Sequence, residues 1–247
     1  MFDHVTIRVS DRRASEAVYT TVLGELAIES TYGDEWFVEW GDFSLLEASD
    51  ERPVTRGLHI GFVAPSRAHV DAFWHAGRAS GLRDAGAPGE RPDYKPDYYG
   101  AFLLDPDGNS IEAVHHASVD TEGGIDHLWL RTSELAASRE FYALAAPLAG
   151  LRIRDLGLDH VQILGSGGSF SVVPGTPTRG LHMAFPADTN AAVDEFHQAL
   201  VAVGYRDDGP PGERPIYHVG YYGAFVLDPD GNSVELVNHN RIRDGLS

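Results

Sequence analysis

Cysteine is absent from the 247 residues, which excludes disulfides, thiolate nucleophiles and cysteine-ligated zinc. Any bound metal must therefore be held by nitrogen and oxygen. Positive charge is scarce: 19 Lys and Arg stand against 37 Asp and Glu, a formal net charge of −18. A field of that sign repels nucleic acid and anionic membrane, keeps a surface soluble, and would attract a cationic small molecule. No apolar run approaches the ~20 residues that span a bilayer. The start Met1-Phe2-Asp3-His4 has neither the basic nor the apolar region of a secretory signal. The expectation is a cytoplasmic protein with a small-molecule substrate or ligand, a homodimer as its candidate assembly, and no nucleic-acid or membrane partner.

What is present is a repeat. The stretch from Asp105 to Val114 (DPDGNSIEAV) returns from Asp228 to Val237 as DPDGNSVELV, an offset of 123. The same offset carries Asp3-His4 onto Asp126-His127, Leu58-His59 onto Leu181-His182, and Tyr98-Tyr99-Gly100 onto Tyr221-Tyr222-Gly223. One unit of roughly 120 residues, large enough for its own core, is written twice. The domains are expected at 1–118 and 122–243, with Gly123-Gly124 marking the join and a short mixed-charge tail at 241–247.

Periodicity gives the elements. Residues 2–9 alternate, with Val5, Ile7 and Val9 on one face, and read as a half-buried strand. Ser10 is placed to cap a helix over 12–23. Short strands follow at 36–38 and 43–48. The order then restarts with a strand at 57–63, a helix capped by Ser66 and stopped by Gly81, and strands around 98–104 and 110–114. The second copy repeats this with strands at 126–131, 160–164, 169–173 and 180–185 and helices at 133–144 and 189–203. Each half-copy is a strand, a helix and about three strands, so the chain is α+β.

The same alternation fixes faces. Val5 and Ile7 point to the helix, so His4 points away from it, and the argument repeats for His127 beside Leu128 and Leu130. It also places His59, His182, Glu112 and Glu235 on the face without helices. Two histidines and a carboxylate per copy are the donors of a facial metal site with positions left open for water or substrate. A buried glutamate without a partner would be costly, whereas one bound to a cation is not.

These residues resemble the vicinal oxygen chelate superfamily of glyoxalases, bleomycin-resistance proteins, extradiol dioxygenases and fosfomycin-resistance enzymes. The resemblance spans nearly the whole chain. It rests on His-Val-Thr-Ile-Arg-Val at 4–9, Gly-Leu-His at 57–59 and 180–182, and the Tyr-Tyr-Gly-Ala-Phe and Asp-Pro-Asp-Gly-Asn-Ser segments that lead to Glu112 and Glu235. It implies two tandem glyoxalase-like domains. Each would consist of two βαβββ modules forming a curved, mostly antiparallel eight-stranded sheet with helices on the outer face.

The resemblance also implies a divalent metal (Fe, Zn, Ni or Mn). The ligands it suggests are His4, Glu47, His59 and Glu112 in the first copy and His127, His182 and Glu235 in the second. In the second copy Pro174 aligns with Glu47. The set His127, His182 and Glu235 is similar to the iron triad of two-domain extradiol dioxygenases. His218 lies near the place of their acid–base histidine, where the first copy has Lys95. Modules of this family pair within one domain or across two, so a cleft per domain and mixed clefts, such as His4 and Glu47 with His182 and Glu235, are both open.

Two functions follow as expectations. One is a metal-dependent lyase, isomerase or ring-cleaving dioxygenase, with Glu112, Glu235 and His218 as catalytic candidates. Tyr99, Tyr222, Trp129 and Arg131 would line its cleft. The other is a metal-free protein that sequesters a cationic drug or metabolite on aromatic groups such as Trp129, Tyr98 and Tyr221.

Overall fold

The four half-copies become four βαβββ modules in the computed structural model, which describes residues 1–118, 123–157 and 159–240. The middle of the expected join and the tail at 241–247 lie outside the described residues. The first module holds β1 (His4–Val9), α1 (Arg12–Gly24), β2 (Tyr32–Gly33), β3 (Phe37–Trp40) and β4 (Phe43–Glu47). The second holds β5 (His59–Val63), α2 (Arg67–Ala79), β6 (Arg83–Glu90), β7 (Tyr99–Leu104) and β8 (Ser110–His115). The third holds β9 (Ile125–Thr132), α3 (Leu135–Leu148), β10 (Arg152–Asp155), β11 (Val161–Gly165) and β12 (Gly168–Pro174). The fourth holds β13 (His182–Pro186), α4 (Asn190–Ala202), β14 (Asp207–Glu213), β15 (Tyr222–Leu227) and β16 (Ser233–Asn238).

The modules pair across the halves of the sequence. One eight-stranded sheet runs β14-β15-β16-β13-β1-β4-β3-β2 and joins the first module to the fourth. The other runs β10-β11-β12-β9-β5-β8-β7-β6 and joins the third to the second. The seams are antiparallel, β1 on β13 and β5 on β9. Within each module the first and last strands pair in parallel, and the remaining pairs are antiparallel.

The connections between modules meet where the halves cross. Thr55 Oγ1 donates to the Gly180 carbonyl at 2.7 Å and Thr178 Oγ1 to the Gly57 carbonyl at 2.8 Å, while Arg56 and Arg179 form an isolated bridge. At Gly180, φ is +71°, and a Cβ would lie 2.7 Å from the Pro53 carbonyl oxygen, so the two connections cross only where a side chain is missing.

α1 packs against α2 and α3 against α4, which merges the helix faces of both sheets into one apolar core. Phe43 of one sheet meets Phe62 of the other edge-on, with centroids 5.1 Å apart.

The repeated Asp-Pro-Asp-Gly-Asn turn fastens this arrangement. Asp105 accepts from the backbone N–H groups of Asp107 and Asn109 and from Tyr19 of α1, and Asn109 Nδ2 donates to the Thr55 carbonyl. Asp228, Asn232, Tyr142 and Thr178 repeat the set. A buried carboxylate with several donors holds the turn shape. The segment that first reveals the repeat is thus a structural clamp.

Some expectations shift. The first helix is capped by Asp11, whose side chain accepts from the Ala14 N–H at 2.9 Å, and not by Ser10, whose N–H donates to Asp107. β6 and β14 carry glycine and proline (RDAGAPGE and DDGPPGE) and contain register shifts, which hides their alternation in the sequence. As edge strands they need pairing on one side only.

Candidate metal centres

The strand pleat brings six of the seven proposed ligands together, but in crossed sets. His4, His182 and Glu235 form one group, and His59, Glu112 and His127 the other, the ligand atoms of each lying within 4.8 Å of one another. His127 therefore joins His59 and Glu112, and the extradiol-like grouping of His127 with His182 and Glu235 does not form. The cause is the seam pairing, which sets His4 beside Ala184 and His127 beside Gly61.

In the His59 cleft, the Nε2 atoms of His59 and His127 face each other at 3.1 Å, and Glu112 Oε2 lies 3.1 and 3.4 Å from them. In the His4 cleft, the Nε2 atoms of His4 and His182 are also 3.1 Å apart, with Glu235 Oε2 at 3.6 and 3.1 Å. Both glutamates are 1% exposed. Although Glu235 Oε2 is within charge-pair distance of both rings, it is buried without a well-aligned hydrogen-bond donor. An orphaned buried carboxylate oxygen facing two imidazoles is costly unless a cation or a proton joins it.

The surrounding residues aim these donors. Tyr98 OH donates to Glu112 Oε1 at 2.8 Å and Tyr221 OH to Glu235 Oε1 at 2.7 Å, which leaves each Oε2 toward the histidines. Burial and the adjoining carboxylates hold both phenols far above the ordinary tyrosine range, so they act as donors. Gly100 and Gly223 make room: a Cβ at either would lie 2.5 Å from the glutamate Oε1.

Behind each first-strand histidine lies an aspartate. His4 Nδ1 donates to Asp3 at 2.8 Å and His127 Nδ1 to Asp126 at 2.7 Å. A carboxylate can only accept, so Nδ1 carries a proton and Nε2 is the nitrogen turned into the cleft. This carboxylate–histidine pairing is the usual outer support of a metal site.

Asp3 in turn takes His239 Nε2 at 2.7 Å, and His239 Nδ1 meets His218 Nε2 at 2.8 Å. Asp126 is 3.3 Å from His116 Nε2, which lies 3.4 Å from Lys95 Nζ. His218 is therefore linked to the His4 centre through two residues and is not a member of it.

The electrostatics are paired as well. Burial alone would push His127 down, but Asp126 and Glu112 outweigh it and raise its pKa to about 9. His4 is raised in the same way, with burial opposed by Asp3 and Glu235. His59 and His182 are lowered, chiefly by burial, despite their glutamate partners. Burial pushes Glu112 up, yet hydrogen bonds from His127 and His59 bring it below its ordinary value. Each cluster thus holds one histidine that favours a proton beside one that stays neutral.

Three expected site residues stand elsewhere. Glu47 is exposed and pairs with Val9, on the helix side of β4; the residue of β4 that faces the cleft is Ser44, bonded to Thr6. Tyr99 and Tyr222 share the parity of the core residues Ala101 and Ala224, and their hydroxyls bond Asp71 of α2 and Asp194 of α4. Trp129 and Arg131 do lie on the cleft face, in register with Ser171 and Val173. Asp3, Asp126, His116 and His239 are the residues that motif reasoning missed. The pairs Asp3-His4 and Asp126-His127, repeated at the same offset, were the available signal.

The family model of the Glyoxalase/Bleomycin resistance protein/Dioxygenase superfamily matches residues 1–113 and 157–236. Among solved structures, glyoxalase I from Zea mays is similar at 20% identity and a TM-score of 0.67, over 96% of this chain and 92% of that one. A Bacillus subtilis protein provisionally assigned as a dioxygenase is similar at 15% identity and a TM-score of 0.63, over 97% of this chain and 85% of that one. At those identities the likeness concerns the fold. Curated protein sequences give no significant match. With the model matched over most of its length, the chain belongs to the Glyoxalase/Bleomycin resistance protein/Dioxygenase superfamily.

Proposed function

We propose that this chain is a divalent-metal-dependent enzyme, a lyase, isomerase or ring-cleaving dioxygenase acting on a small molecule that offers two neighbouring oxygens. The observation that supports this most is the buried Glu235 Oε2, which lacks a hydrogen-bond donor while two imidazole Nε2 atoms lie 3.1 and 3.6 Å from it. His4, His182 and Glu235 would hold one ion and His59, Glu112 and His127 another. Two histidines and one carboxylate leave coordination positions for substrate. When bound, the ion supplies Lewis acidity to a substrate oxygen.

The chain's own residues do the rest. Asp3 and Asp126 fix the histidine tautomer, and Tyr221 and Tyr98 fix the carboxylates. A glutamate Oε2 so placed binds the ion or accepts a proton from a substrate carbon beside it. Arg8 and Arg131, four residues beyond His4 and His127 on the same strand faces, offer cations for an acidic substituent.

Elemental analysis of the purified chain tests this reading. We expect close to two equivalents of Fe, Zn, Ni or Mn after incubation with the ion. A protein that retains no stoichiometric metal defeats the proposal. Oxygen uptake with a catechol by an iron-loaded sample selects the dioxygenase branch, and turnover of a hemithioacetal without oxygen selects the isomerase or lyase branch.

A further inference from the structure

The two clefts present the same sequence of groups along their first strand, with one exchange in the middle. One reads His4, Thr6, Arg8; the other reads His127, Trp129, Arg131. Alternate residues of a strand share a face and stand about 6–7 Å apart, so each cleft sets out a ligand cluster, a middle group and a guanidinium in line. In the first cleft the middle group is closed off: Thr6 is 4% exposed and its hydroxyl bonds Ser44 at 2.8 Å. In the second it is Trp129, 39% exposed and paired in register with His59 on one side and Ser171 on the other.

Trp129 does not project alone. His160 lies against its ring with centroids 5.0 Å apart and planes 34° from parallel, and His160 Nε2 is held 2.9 Å from Ser171 Oγ. The indole is thereby braced from one side while it is open to the cleft. An open aromatic face beside a binding cluster offers large contact area at small entropic cost.

We propose that Trp129 makes the His59–Glu112–His127 cleft selective for a planar aromatic or heteroaromatic ligand carrying an acidic group. The ring stacks on Trp129 and the acid meets Arg131. The His4–His182–Glu235 cleft, with Thr6 in the middle position, does not share this preference. The proposal deepens the enzymatic reading by naming a ligand class for one cleft, and it rests on that reading only for what happens at the metal end of the ligand.

The test uses the purified full chain, with metal content measured on the same sample, titrated calorimetrically with 2-naphthoate and with decalin-2-carboxylate, its saturated, non-planar counterpart. We expect one naphthoate site per chain, bound at least about fivefold more tightly than the decalin acid, the size of one aromatic stack. Trp129→Leu should remove that preference, Trp129→Phe should keep most of it, and Thr6→Ala should leave it unchanged. Equal affinity for the two acids, or a preference that survives Trp129→Leu in a variant with native circular dichroism, overturns the proposal. A sample that retains no metal even after incubation with the ion, yet still shows the Trp129-dependent preference, defeats the metal reading and leaves this one standing.

Discussion

The two clefts share a scaffold and three equivalent ligand positions, yet they differ in how tightly the first-strand histidine is seated. Under His127 lies Gly61, where an added Cβ would come within 2.4 Å of the imidazole Cε1. Opposite His4 the corresponding residue is Ala184. His4 Nε2 stands 3.6 Å from its glutamate and its side chain is 26% exposed, against 3.4 Å and 12% for His127. The histidine beside a methyl group is thus the more exposed of the two and the further from its glutamate.

A second difference lies behind the clefts, where His239 and His218 stand in one and His116 and Lys95 in the other. His218 Nδ1 is 2.8 Å from the Val219 carbonyl. A chain of contacts thus runs from that carbonyl through His218 and His239 to Asp3, where Lys95 and His116 stand behind Asp126 in the other half.

These contrasts can be broken in order of effect. Gly61→Val forces a branched side chain into the space of the His127 ring, and overpacking of that kind costs about 1–3 kcal/mol. Thermal denaturation and metal analysis should show a less stable protein lacking metal in that cleft, with Ala184→Gly close to wild type. Asp126→Asn replaces a carboxylate that only accepts with an amide that can also donate to Nδ1, so the His127 tautomer is no longer fixed. Metal affinity in that cleft should weaken about 10–100-fold, with the His4 cleft unchanged, and Asp3→Asn should give the mirror result. Competition titration with a chelator reads both.

Stability against pH separates metal-free from loaded protein. With a folded pKa raised from its ordinary 6.5 to about 9, protonated His127 stabilises the metal-free fold fully below pH about 6.5, and that contribution disappears as pH rises through about 9. The thermal midpoint of stripped protein should fall between those limits. In loaded protein the fall should be smaller, because the ion has already displaced the proton. A flat profile for stripped protein counts against the Asp126–His127–Glu112 ion pairs. The smallest effect is expected from His218→Lys, which places in the second copy the residue that the first copy carries at Lys95: metal affinity in the His4 cleft should change little, while His218→Ala, which removes the contact to His239, should weaken it further. Loss from both variants alike would contradict the equivalence of Lys95 and His218 behind the two aspartates.

Much of this was legible in the residues. The offset of 123 showed the duplication, and alternation put His4, His59, Glu112 and their counterparts on the helix-free face. The same rule, applied to Glu47 and to Tyr99 and Tyr222, excludes them from the clefts, because each shares the parity of buried neighbours. Which triads form was not legible. Pairing of β1 with β13 or with β5 buries the same apolar faces, and the choice is made by the crossed connections at Thr55–Gly180 and Thr178–Gly57. The edge strands β6 and β14 escaped notice because their glycines and prolines break the period-two pattern.

The crossed triads are the centre of this account, and one double variant tests them directly. His4→Ala combined with Glu235→Ala removes two ligands of a single cleft if the modules pair as described, and the chain should retain one equivalent of metal by elemental analysis. If the clefts were instead built within each half of the sequence, the same two substitutions would damage both, and a chain left without metal, while His4→Ala combined with Glu112→Ala kept one equivalent, would contradict the account.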